Sequence, residues 1–445
     1  MIYLILFLGL ILRLISVNQS FWLDEATSAT VAKNLSLTQI ISNFSPGDFH
    51  PPLYYLILKI WTLPFGVSEI STRLLSVLAA LATIYVTYLI AKKAISQSVA
   101  TMAALLLTIS PLHIYYSQEA RMYSLETLFV TLAFYFYLGI TKKQTFLTWL
   151  FFSLSLVLVG MTDYLPLLVI PVFWVYSVVQ KRELTWFTKL ALSLVPLSLV
   201  FSAWSPIFAR QAVAGFSVEK SSSQWWRVLG KSGFKELALI PIKFMVGRIS
   251  FQSRFMYGFV VSVCLAVYGF ILHETKRNFG KALIFWLWLL VPVTLAFILG
   301  FKVSVFSYFR LIFVLPALSI LLAIGLSKVK ESIFPFVFMF LILLSGVFSW
   351  IYLSNPKFHR EDWREMTKAS QGKTVLFPAD SQKEAFRYYG GLPGEFPVDG
   401  EVWLVRYVQE ISDPKDSTRK KLEQSGYNRV LERNFNGIVV WEYKK

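Results

Sequence analysis

The sequence predicts a polytopic α-helical membrane protein of about eleven transmembrane helices, with a small α/β domain outside the membrane at its C-terminus. Three observations carry this. Only 16% of the 445 residues are charged and 56% are hydrophobic, whereas soluble domains carry about 25% charged residues. Apolar runs of the length a bilayer requires recur along the chain, separated by short polar segments. After about residue 355 the chain turns polar and loses those runs.

The apolar segments fall at 1–17, 70–91, 97–116, 122–140, 146–162, 164–180, 187–206, 255–272, 282–300, 308–326 and 333–353. The first lacks a basic leader and a small-residue cleavage site, so it reads as a retained span with Arg13 snorkelling to the interface. The formal charge of +17 is a topology signal, since no nucleic-acid motif accompanies it. With the N-terminus cytoplasmic, Lys92, Lys93, Lys142, Lys143, Lys181, Arg182, Lys276, Arg277, Lys281, Lys328 and Lys330 fall in inner loops, as the positive-inside rule expects. The outer segment 207–254 breaks the pattern with eight basic residues, among them Arg210, Lys220, Arg227 and Arg248. An anionic lipid headgroup would suit them. The single cysteine, Cys264, lies in an apolar run and reads as a small buried residue.

The first outer segment, 18–69, is long and patterned. Short helices are expected over 25–34 and 36–44, opened by Asp24 and Ser36. Pro51 and Pro52 then start a helix whose Leu53, Leu56, Ile57 and Ile60 recur at helical spacing, as in a helix lying in the interface. The membrane part is read as 1–354 and the soluble domain as 355–445. In the latter, helices are expected near 361–371 and 415–426, and strands at Val375–Phe377, Val402–Val405 and Ile438–Trp441.

Four polar clusters fall on one face of the membrane: Asp24 with Glu25; Asp48 with His50 and nearby Tyr54; Glu119 with Arg121 and Tyr123; and Tyr308 with Arg310. Each has a bland reading, as a helix cap, an interfacial ion pair or a snorkelling side chain. Together they surround one outward-facing cavity, and polar groups converging inside a bundle mark a substrate site. A carboxylate can take a proton from a hydroxyl. Arginines and a histidine can steady a phosphate that becomes a leaving group. That set suits sugar transfer from a lipid phosphate better than glycoside hydrolysis, which needs two separately placed acids.

The stretches Trp22-Leu23-Asp24-Glu25-Ala26, His50-Pro51-Pro52-Leu53-Tyr54-Tyr55 and Gln118-Glu119-Ala120-Arg121-Met122-Tyr123 resemble bacterial members of glycosyltransferase family 39, in the GT-C superfamily. That family contains the protein O-mannosyltransferases and resembles the lipid A aminoarabinose transferases. Arg360-Glu361-Asp362-Trp363-Arg364 is similar to bacterial relatives too. The resemblance implies a polyprenyl-phosphate sugar donor, a hydroxyl-bearing acceptor, inversion at the anomeric carbon and chemistry on the outer face of a bacterial plasma membrane. It implies Asp24 as base with Glu25 the close alternative, and Arg121 as a phosphate ligand. His50 stands where aminoarabinose transferases carry lysine, a departure that keeps a cation at the position and speaks against the aminoarabinose substrate. The long insert of eukaryotic protein mannosyltransferases is absent. Metal use varies in the superfamily; no metal spacing is visible here, and a divalent metal stays open. A lipid-linked sugar transporter and a non-catalytic glycan-binding membrane protein are the competing readings. A transporter should place its charges near mid-membrane in repeated halves, and no repeat is visible.

Overall fold

The computed structural model describes residues 1–221 and 230–445, and of 216–221 the backbone alone. All eleven apolar segments are helical. Six described stretches are long and apolar enough to cross a membrane: Glu69–Ala94, Tyr123–Lys142, Leu184–Gly215, Arg254–Leu299, Tyr308–Leu326 and Phe334–Ser354. The stretch Arg254–Leu299 contains two of the expected segments with a 3-10 turn between them. The expected segment 97–116 is a bent pair, broken by 61° where Pro111 starts the second half. The segments at 1–17, 146–162 and 164–180 form shorter helices.

Numbered along the chain, the helices are α1 (Ile2–Leu14), α2 (Leu23–Asn34), α3 (Leu37–Gln39), α4 (Leu53–Phe65), α5 (Glu69–Ala94), α6 (Gln97–Thr108), α7 (Pro111–Ser117), α8 (Tyr123–Lys142), α9 (Phe146–Thr162), α10 (Ile170–Val179), α11 (Leu184–Leu192) and α12 (Val195–Ser221). After these come α13 (Phe234–Val246), α14 (Arg254–Glu274), α15 (Phe279–Leu299), α16 (Leu315–Leu326) and α17 (Phe334–Ser354). Local sequence explains their starts. Ser68, Ser96, Thr145 and Ser253 each accept a backbone N–H from the first turn of the helix that follows, satisfying donors that have no partner within the helix. Gly325 lets α16 touch α14, because a Cβ there would sit 2.0 Å from the carbonyl oxygen of Ile271.

Two expectations are corrected. Arg13 does not snorkel. It is fully buried, donating to the carbonyls of Gly9 and Thr108 and to His113 Nδ1 at 2.7 Å. Only an acceptor nitrogen can face a guanidinium, so His113 keeps its proton on Nε2. The segment 207–254, expected as a loop, is helical among its described residues where α12 runs on to Ser221 and over α13. Arg227 and the Lys220 side chain lie outside the description.

The lysine-rich ends gather on one side. Lys142 Nζ donates to the carbonyl of Lys93, and Arg277 to that of Lys328. At the other end the chain leaves α17 and forms a four-stranded sheet, β1 (Thr374–Leu376), β2 (Val402–Val405), β3 (Asn428–Phe435) and β4 (Ile438–Lys444), in the order β1-β2-β4-β3. β1 and β2 are parallel; the other pairs are antiparallel. All four residues of β2 are buried because both its faces are covered. Trp403 and Val405 join a cluster with Trp363 and Met366 that also contains Phe21, Ala26 and Ala29, while Val402 and Leu404 join Leu422 and Tyr443. The sheet domain thus packs its core onto α2, the helix that opens with Asp24 and Glu25.

Candidate active site

The two adjacent acids part ways as α2 begins. Glu25 is fully buried. Its Oε1 accepts from Arg73 Nε at 2.8 Å and from the Ala120 N–H at 2.7 Å; its Oε2 accepts from Arg73 Nη2 at 2.6 Å, with Arg360 Nε at 3.4 Å. The other Arg73 donors bind the carbonyls of Val17, Gln19 and Ser20. Burial alone would push the Glu25 carboxyl up, but Arg73, Arg360 and the Ala120 N–H hold it below the ordinary glutamate value. Arg360 also reaches Glu119 at 3.0 Å. Burial, reinforced by Glu25, nevertheless leaves the Glu119 carboxyl raised. This lattice pins the first outer segment, the 118–122 turn and the head of the soluble domain to α5.

Asp24 points the other way. Its side chain is 44% exposed, and its Oδ2 lies 3.8 Å from Nη2 of Arg121, which is nearly buried. Arg121 donates to the Tyr55 hydroxyl at 3.1 Å, and its Nε has no partner. Tyr54 and Tyr123 are buried against Arg121, the Tyr54 hydroxyl unpartnered, and Asp48 faces Tyr55. Tyr407, from the loop after β2, faces Asp24 from the soluble domain and donates to Glu361. The arrangement offers a solvent-reachable carboxylate beside a desolvated, permanently charged guanidinium with free donors.

His50 and Arg310 each stand beside an acid. His50 Nδ1 lies 3.6 Å from Asp163 Oδ2. Glu126, in the first turn of α8, faces Asp163, and Arg310 faces both acids. Tyr308 lies beside Tyr116, Tyr257 and Arg248; Arg248 is exposed and donates to Tyr115. Sequence reasoning missed Arg73, Asp163 and Glu126 as site residues. Glu126 carried a usable signal, as an acid inside an apolar run. Among the described residues no three His, Cys, Asp or Glu side chains are arranged to hold a metal ion.

Residues 49–208 match the family model of the dolichyl-phosphate-mannose-protein mannosyltransferases. ArnT from Cupriavidus metallidurans superposes on 99% of this chain and 97% of its own, at TM-score 0.59 in the apo state and bound to undecaprenyl phosphate, with 11% and 12% identity. The fold is GT-C. The Archaeoglobus fulgidus oligosaccharyltransferase AglB, in complex with an inhibitory peptide and a dolichol-phosphate, shares this GT-C fold over 89% of this chain and 61% of its own, at TM-score 0.51 and 11% identity. An uncharacterized protein of Aquifex aeolicus (strain VF5) is 30% identical over 138 residues, 30% of this chain and 27% of that relative, so the match spans little more than a quarter of the relative's length. The family model and the fold bear out the resemblance to family 39 within the GT-C superfamily.

Proposed function

We propose that this protein is an inverting glycosyltransferase that moves a sugar from a polyprenyl-phosphate donor to a hydroxyl acceptor on the outer face of a bacterial plasma membrane. The observation that carries this reading is the half-exposed Asp24 carboxylate beside the nearly buried, under-used Arg121 guanidinium. In the reaction, Asp24 takes the proton of the acceptor hydroxyl as its oxygen attacks the anomeric carbon. The bond from that carbon to the phosphate oxygen breaks on the opposite face, which inverts the centre. The departing phosphate keeps the electron pair and is stabilised by Arg121, whose charge is preorganised and largely desolvated. Tyr54 and Tyr123 wall the site, and Glu25 holds Asp24 in position without itself moving a proton, both its oxygens being occupied.

The structures with undecaprenyl phosphate in ArnT and dolichol-phosphate in AglB support a lipid-phosphate donor. The family model's description supports a sugar donor of that kind. The gathering of Asp24, Asp48, His50, Arg121 and Arg310 at one end of the bundle suits an enzyme better than a carrier with a mid-membrane site. In this reading the lysine-rich loops face the cytoplasm, the sheet domain lies outside, and the exposed basic side chains of Arg210, Lys235 and Arg254 meet anionic headgroups. The test is Asp24→Asn in the full-length protein. Transfer should fall by about 10²–10⁴-fold while undecaprenyl phosphate still binds. Unchanged turnover removes Asp24 as the base.

A further inference from the structure

Glu126 lies in the first turn of α8 and is fully buried. Among the described residues no N–H and no cation pairs with either of its carboxyl oxygens. Its hydrogen-bond partner is a second buried acid, Asp163, in the turn after α9. Two ionised carboxylates cannot bond to each other, because each only accepts. The pair therefore shares one proton, as buried carboxyls in contact do. The surroundings decide which acid keeps it. Asp163 Oδ1 accepts the Leu165 N–H at 3.3 Å, and its Oδ2 faces His50 Nδ1 at 3.6 Å. Donors favour the ionised form of the group they reach, and Glu126 has none of its own. Arg310 faces both acids, and Tyr164 stands beside Asp163. Glu126 is thus the protonated member, donating to the Asp163 carboxylate.

The chain of contacts ends on His50. Nδ1 is turned to Asp163 and has no other partner among the described residues, while 11% of the side chain stays exposed. Nε2 is therefore the ring nitrogen left to meet a ligand. The ring also sits close to the phosphate-binding arginine: Asp48, two residues before it, faces Arg121 and the Tyr55 hydroxyl that Arg121 holds. When a phosphate arrives, anions on both sides favour the imidazolium, whose two N–H groups serve one each. The proton on Glu126 matters for the charge count. With it, Asp163 is the one negative charge in the cluster, against Arg310 and His50. Without it, two acids would offset both cations and leave nothing for the phosphate.

We propose that Glu126 is a positioning residue: its protonated carboxyl holds the Asp163 carboxylate, which in turn orients His50 so that Nε2 donates to the donor phosphate. The inference rests on the lipid-phosphate donor reading above. Glu126 and Asp163 touch no substrate and act through His50.

The experiment uses the full-length protein in lipid nanodiscs with undecaprenyl phosphate as the probe. Glu126→Gln keeps the shape and an N–H donor for Asp163, so its affinity should stay within about twofold of wild type. Glu126→Leu removes the donor. It, His50→Ala and the double variant should each weaken binding by about tenfold, the loss of one charge-assisted hydrogen bond, because residues that act as a unit do not add. The infrared difference between wild type and Glu126→Gln at neutral pH should show the carbonyl band of a protonated carboxyl. Weakened binding in Glu126→Gln, unchanged binding in Glu126→Leu or His50→Ala, or an additive loss of about a hundredfold in the double variant overturns the proposal. So does an infrared difference that contains only carboxylate bands, a readout that holds even where Glu126→Leu does not fold. Failure of wild type to bind undecaprenyl phosphate at all overturns the donor reading itself.

Discussion

Glu25 and Glu126 are both fully buried acids, and their surroundings differ in one respect. At Glu25 both oxygens accept from Arg73, the Ala120 N–H fills a further position and Arg360 stands by. At Glu126 no cation or N–H pairs with either oxygen; the carboxyl shares a hydrogen bond with that of Asp163, with Arg310 facing both. Burial alone therefore does not say how an acid is held. What separates them is the partner: two guanidiniums and an N–H at Glu25, a second carboxyl at Glu126. The Glu25 cluster, whose carboxylate is saturated, joins four chain segments: the first outer segment, α5, the 118–122 turn and the head of the soluble domain.

The largest effect that would test this contrast is loss of Arg73. Removing one partner of a buried, hydrogen-bonded ion pair costs about 3–5 kcal/mol. Arg73→Ala also strips the carbonyls of Val17, Gln19 and Ser20 of their donor. The expected outcome, read by thermal unfolding in detergent, is a protein destabilised by that amount or one that does not accumulate folded. Near-wild-type stability would show that the saturated cluster is not structural.

A smaller and more diagnostic effect is the pH dependence of Glu25. Its carboxyl is held below the ordinary value of about 4.3, so its stabilisation is complete above that value and is lost as pH falls through the depressed one. Glu25→Gln should be less stable than wild type by roughly 1–3 kcal/mol at neutral pH. The gap should stay constant from about pH 8 to about pH 5 and narrow only below about pH 4, where the wild-type carboxyl itself gains a proton. A gap that instead widens on acidification would mean that the carboxylate is not the stabilised form.

The same contrast explains what was legible in the sequence. The helices were, because apolar runs with Ser or Thr at their heads leave little choice of conformation. β2 was, because a strand covered on both faces reads as the unbroken run Val402-Trp403-Leu404-Val405. β3 was not. It is an edge strand exposed along nearly its whole length, and its Arg429, Glu432 and Arg433 show no alternation to betray it. At the site, Asp24 and Arg121 could be picked out from local residue types. Their partners could not, because Arg73 is a lone charge near the head of an apolar run and meets Glu25 across 48 positions. Asp163 looked like a loop acid, and only the packing of α8 against the turn before α10 puts it beside Glu126.

The smallest effect concerns how the soluble domain is held over Asp24. Arg360 enters the buried lattice, whereas four residues later Arg364 meets Glu69 at 2.5 Å with 43% of its side chain exposed. Tyr389 also donates to Glu69, at 2.8 Å. A pair open to water on its arginine side gains little over solvation and is screened by salt, and Glu69 keeps the Tyr389 hydroxyl, so its loss costs about 0–1 kcal/mol. Arg364→Ala should therefore shift stability by no more than that, the shift should shrink further at high salt, and sugar transfer should be unchanged. A larger loss, with transfer falling in step, would mean that the domain is held over the site by this half-exposed pair and not by the apolar cluster of Phe21, Ala26 and Trp363 together with Arg360.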